Sequence, residues 1–224
     1  MDGHVIDDDG YRALRDAIVS GELLPSERLV EEDLARRLGL GRGAVRMALV
    51  RLEHDGLVER ERNRGARVRR VSDAEAVEIL EVRAALESLA ARKAATRATP
   101  KDVRELRAIL REMRTKRERG DLMAVSDANA ALHRRIVEIS GHETAQRLSG
   151  MLISQIVRFQ YRTVLLPGRP ERSHREHAAI VDAIAAGDAE GAEKAMRRHL
   201  SHVAEALRDR TESFGARGAA RETG

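Results

Sequence analysis

Leu14, Ala17 and Ile18 sit three and four positions apart, a spacing that puts apolar side chains on one helical face. They predict a first helix from about Gly10 to Ser20, ended by Gly21. Leu23-Leu24-Pro25-Ser26 reads as a connector. Leu34 and Leu38 predict a second helix over Val30–Leu38, and Val45, Leu49 and Leu52 a third over Gly43–His54, after Gly39-Leu40-Gly41. The period then changes. Leu57 to Arg62 and Ala66 to Arg69 read as two strands, with Asn63-Arg64-Gly65 supplying turn chemistry between them.

From Ser72 onward every pattern is helical. Ser72 and Glu75 have the spacing of a capping box, opening a helix to about Arg97. Thr99-Pro100 opens the next helix and Gly120 ends it, since proline suits a first helical position. Asp121 caps a helix to Ser140, and further helices follow over Glu143–Leu165, Pro170–Ala186 and Asp188–Glu212. The expected fold class is therefore mainly α. Residues 1–70 form a winged helix-turn-helix and 71–214 an antiparallel all-helical bundle, and the tail 215–224 is expected to be disordered.

Composition narrows this picture. Aromatic residues make up 2% of 224 and tryptophan is absent, so the cores must rest on Leu, Ile, Val, Ala and Met. With no cysteine there are no disulfides or thiolate metal sites, and a cytoplasmic chain is the default. No apolar run reaches the ~20 residues that span a bilayer, and the acidic start is unlike a signal peptide. The net charge of +4 says little, but its placement says more. Residues 34–70 hold eleven arginines against four acids, whereas residues 1–33 hold three against ten. A short basic segment is the footprint of a polyanion-binding surface.

Small residues fall where a helix-turn-helix needs them. Ala35 allows close helix approach, Gly39 permits the tight turn, and Val45 packs the third helix onto the second. Arg42 and Arg46 then lie one turn apart near the N-terminus of the third helix, the end that recognition helices present to bases and phosphates. A planar guanidinium can grip guanine or phosphate with two bonds. The Arg64-Gly65 tip can enter a flanking groove. A solvated helix face is the plainer reading of one isolated arginine, but here spacing, wing and local charge agree on DNA.

In the helical region His133, His177 and His199 each share a stripe with aliphatic residues, on three different helices, and Asn129 lies one turn before His133. Three imidazoles converging inside a bundle suit Zn²⁺, Ni²⁺ or a similar divalent ion. Each alone reads more simply as a satisfied core histidine. His174 and His202, one turn away, are the competing candidates, and His4, His54 and His142 read as surface residues.

Residues 10–70 resemble the winged helix of the GntR family, through the stretches Gly21 to Leu29, Gly41 to Leu49, Asp55 to Val58 and Arg64-Gly65. The resemblance implies DNA contacts by Arg28, Arg42 and Arg46, with Gly43 beside them and Gly65 as the wing glycine. The chain departs from the family at Gly41, Gly43 and Ala44, where hydroxyl residues or proline are usual, and at Met47, where Glu is usual. Residues 73–210 are similar to the FCD ligand-binding domain of the FadR-type subfamily. The resemblance implies the metal ligands Asn129, His133, His177 and His199, where many members have Asp at the first position. Such a site accepts carboxylates, and Arg83, from Glu81 to Glu87, is the candidate effector anchor. The plainer reading of Arg83 is an i,i+4 pair with Glu87 on a solvated face.

The resemblance implies a homodimeric repressor, less often an activator, that binds a palindromic double-stranded operator and responds to a small carboxylate. A metal-dependent enzyme using the same histidines is the rival reading. No HExxH, Ser-His-Asp set or Gly-rich phosphate loop supports it, and Glu138 and Glu176 are candidate bases without a motif. An effector-independent DNA-binding protein would need no core-facing histidines.

Overall fold

The computed structural model describes residues 3–61 and 65–222. The chain divides into two compact units, Met1–Val71 and Ser72–Gly224. The architecture is mainly α, with a small sheet in the first unit.

The first unit runs α1 (Gly3–Ser20), β1 (Arg28–Leu29), α2 (Glu31–Leu38), α3 (Arg42–His54), β2 (Val58–Glu61) and β3 (Gly65–Val68). Its core joins Leu14 and Ile18 of α1 to Leu34 of α2 and Val45, Leu49 and Leu52 of α3, the stripes read from the sequence. Gly39 ends α2 in the left-handed region (φ 65°), where a side chain would be strained. α3 restarts three residues later. β2 and β3 pair antiparallel, with Val58 opposite Val68 and Glu61 opposite Gly65.

Two boundaries differ from expectation. α1 begins at Gly3 and passes through Gly10. A lone glycine costs a helix only ~1 kcal/mol, and here its missing side chain is useful, since a Cβ would sit 3.3 Å from Leu40 Cδ1. β1 was not foreseen. It pairs with β3 through Arg28 opposite Arg67 and Leu29 opposite Ala66, giving the order β1-β3-β2. A two-residue strand has too few positions to show alternation.

The second unit comprises α4 (Asp73–Arg97), α5 (Pro100–Glu118), α6 (Leu122–Ile139), α7 (Glu143–Val164), α8 (Arg169–Ala185) and α9 (Ala189–Glu222). Local chemistry starts several of them. Ser72 Oγ accepts from Glu75 N, Thr99 and Asp102 cap α5 reciprocally, and Asp121 Oδ1 accepts from Ala124 N. α4 is central, packing on α6, α7, α8 and α9. Ala76, Ala84, Ala91 and Ala95 let those neighbours approach closely. α9 runs to Glu222, through the segment from Gly215 that was expected to fray.

Candidate functional site

Inside the second unit, α6 supplies His133, α8 His177 and α9 His199, and all three are buried. Their ring nitrogens meet. His177 Nε2 lies 3.3 Å from His133 Nε2 and 3.1 Å from His199 Nε2. The three offer ligand atoms within 4.8 Å of one another, a group able to hold a metal ion. His174 and His202 are not part of it. Asn129, one turn before His133 on α6, lines the adjoining cavity with His199.

Carboxylates set the orientation of two of these rings. His133 Nδ1 donates to Glu87 Oε2 at 2.5 Å, and His199 Nδ1 donates to Glu176 Oε2 at 2.8 Å. Each Nε2 is then a bare lone pair turned toward His177. One His177 Nε2–H can donate to only one of them, so in a metal-free cluster the other lone pair is left without a donor. A shared cation removes that conflict. Nitrogens bound at ~2.0–2.1 Å to one tetrahedral ion lie about 3.3 Å apart, so the donor set fits a divalent metal. The carboxylate partners are also typical of histidine ligands.

Burial holds His177 well below its ordinary value, helped by His199 and His133. His199 falls to about 4, chiefly through burial, against the opposing pull of Glu176. Burial alone would raise Glu87 and Glu176, but Arg83 and His133 bring the first, and His199 and Arg169 the second, to about 2. The unfolded chain therefore takes up protons first as acid is added. The histidine contribution is complete above their ordinary 6.5 and is lost as pH falls toward 4. The carboxylate contribution is complete above 4.5 and is lost toward 2. Metal-free protein should thus lose up to ~1.4 kcal/mol per pH unit per histidine below 6.5. Thermal unfolding in chelator checks this, and a flat melting temperature from pH 7 to 5 contradicts it.

Arg83 and Glu87 do form the expected i,i+4 pair, at 2.7 Å, but not on a solvated face: the side chains are 2% and 0% exposed. The pair shares its helical stripe with Ala76, Leu80, Ala90 and Ala94, all buried, and that period was the available signal. Arg83 lines a cavity of about 50 Å³ with Asn129, Arg169, His199 and apolar residues including Leu80 and Phe159. Glu176, read only as a base without a motif, receives four donors: Arg169, Arg172, His199 and His202. Its place directly before His177 was the available signal. His142, read as a surface residue, caps α7 through Nδ1.

In the first unit, Arg42, Gly43 and Arg46 are exposed at the start of α3. Gly41 takes the cap position with no side-chain bond, so the first amides of α3 are free for a ligand at the positive end of the helix. Arg42 pairs with Glu32 at 2.8 Å, and Arg46 grips Glu31 through Nε and Nη2. Arg28 is exposed on β1 and lines an open cleft of about 420 Å³ with Arg60 and Gly65. Gly65 has φ 84°, a conformation that favours glycine. Arg64 lies outside the described residues. No helix among the described residues is long and apolar enough to cross a membrane.

Comparison with known proteins places both units. Residues 8–68 match the gntR family of bacterial regulatory proteins, and residues 78–202 match the FCD domain. The HTH-type transcriptional repressor RspR of Escherichia coli (strain K12) is 28% identical over 198 residues, covering 88% of this chain and 87% of that protein. The HTH-type transcriptional repressor GlaR of the same organism is 29% identical over 200 residues, covering 86% and 91%. Among solved structures, E. coli McbR/YncC superposes with a TM-score of 0.80 at 22% identity, covering 92% of this chain and 98% of that one, a likeness of fold.

Proposed function

The chain belongs to the gntR family of bacterial regulatory proteins, carries its FCD domain, and is a DNA-binding transcriptional regulator rather than an enzyme; on that premise we propose that it is a metal-containing, carboxylate-responsive repressor. Its relatives RspR and GlaR are named repressors, which supports the sign of regulation. One observation carries the sensing half: three buried imidazole nitrogens meet beside a cavity lined by an arginine.

In this reading His133, His177 and His199 hold the ion, with Asn129 as the fourth protein ligand. Zn²⁺ or Ni²⁺ suits imidazole donors. When bound, the ion supplies positive charge and open positions that accept a carboxylate oxygen. Arg83 binds the same carboxylate, and Glu87 holds Arg83 in place. Asn129 is neutral, so the site stays more positive than one with Asp there, which favours an anion.

DNA is read by Arg28, Arg42, Arg46 and the free amides at Gly43, with Arg64 and Gly65 in the flanking groove. To bind, phosphates or bases must take Arg42 and Arg46 from Glu32 and Glu31. Exposed pairs of that kind are worth only ~0–1 kcal/mol, so a polyanion wins readily. One winged helix reads a half-site, and a homodimer reads a palindrome.

Operator duplexes selected from a random-sequence library test the proposal directly. Arg42→Ala and Arg46→Ala should each weaken binding by ~1–3 kcal/mol, and log K should fall steeply with log salt as counterions are released. Unchanged affinity in both variants would exclude the α3 surface. Adding short carboxylic acids to metal-loaded protein should shift operator affinity. No shift with any acid would favour an effector-independent DNA-binding protein.

A further inference from the structure

Arg169 opens α8, and its side chain lines the same cavity as Arg83. The residue is 7% exposed. Nη1 donates to Glu176 Oε2 at 2.9 Å, but Nη2 is buried and finds no partner among the described residues. A buried guanidinium nitrogen without an acceptor is costly, more so than a neutral donor. The neighbouring carboxylates have little left to offer it. Glu87 is shared between Arg83 and His133, and Glu176 among four donors. The cavity that Arg169 lines is the place from which a bound molecule can offer Nη2 an acceptor.

Resting on the carboxylate-sensing reading above, we infer that Arg169 is a second anion anchor and that the effector is a short dicarboxylate. One carboxylate is held at the Arg83 and histidine side. The second accepts from Arg169 Nη2. The rest of the cavity lining is largely apolar, with Leu80, Val125, Ile156, Phe159 and Val203, so the linker between the carboxylates is aliphatic. Two guanidinium groups balanced by two glutamates leave a bound divalent ion uncompensated, and a dianion neutralises it.

The test uses the metal-loaded full-length protein and titration calorimetry. The probes are malonate, succinate, glutarate and adipate, each against the monocarboxylate of equal chain length. At least one diacid should bind wild type about tenfold or more tightly than its matched monoacid, the worth of one charge-assisted hydrogen bond. In Arg169→Gln, compared with wild type at equal metal content, that advantage should vanish, the diacid falling to the affinity of its matched monoacid, as only the Arg83 side is then used. Should Arg169→Gln fail to fold with Glu176 left unpaired, Arg169→Lys keeps the charge but not the fork, and should lose most of the advantage. A diacid advantage retained in the folded variant overturns the assignment of Arg169. Equal binding of diacids and monoacids to wild type overturns the dicarboxylate and leaves the carboxylate reading standing. Binding of neither class overturns both.

Discussion

Glu87→Ala should destabilise the metal-free protein by about 3–5 kcal/mol, read from urea denaturation followed by circular dichroism. Glu87 is fully buried, accepts from Arg83 Nε at 2.7 Å and from His133 Nδ1 at 2.5 Å, and is the carboxylate that lets a guanidinium sit in the interior of α4. Such a pair need not stabilise a fold relative to well-packed apolar residues. Removing one partner is different, because it leaves the other charge buried and uncompensated. Glu87→Gln keeps the shape and one acceptor oxygen, so it should cost less. It also weakens the hold on the His133 ring, and metal affinity should fall ~10–100-fold, as for other partners of metal-bound histidines. A loss below 1 kcal/mol in Glu87→Ala would mean that Arg83 is not confined as described.

The second large effect is on metal content. His177→Ala should reduce metal, measured by mass spectrometry after dialysis, from one ion per chain to near none. His177 Nε2 is the nitrogen within 3.3 Å of both other ligand nitrogens, so it is the centre of the set. The affinity loss should exceed the ~100-fold upper range for outer partners. His202→Ala removes one of four donors to Glu176 and should stay within that range, while His174→Ala, outside the cluster, should keep its metal. Unfolding separates lost metal from lost fold. Without metal, His177→Ala and wild type should both melt cooperatively, but excess Zn²⁺ or Ni²⁺ should raise only the wild type, by ~4 kcal/mol at a thousandfold excess over Kd. One ion retained by folded His177→Ala would exclude the site.

These two results bear on parts of the protein that were unequally visible beforehand. The inward stripes carrying His133, His177 and His199 were legible because helical period places residues on faces whatever lies opposite. That reading put three imidazoles inside a bundle but left His174 and His202 in contention. The choice between neighbouring turns depends on how each helix is rotated about its axis, which is set by packing across α4, α6, α8 and α9. Arg42 and Arg46 were legible in the same way, and their pairing with Glu32 and Glu31 was not, since it joins two helices across the Gly39 turn.

What the chain's own order determined is local: the caps at Ser72, Thr99 and Asp121, the left-handed turn at Gly39, the change from helical period to strands at Leu57, and the apolar faces. Each depends on residues within a few positions, whose hydrogen bonds and side-chain directions follow from backbone geometry. Tertiary structure alone decided the rest. It brought His133 onto Glu87, drew four donors onto Glu176, left Arg169 Nη2 without an acceptor, and added β1 to the wing. Burial and charge pairing are properties of what surrounds a residue, and the partners come from other helices: Glu87 meets His133 46 positions on, and Glu176 meets His199 and His202 23 and 26 positions on.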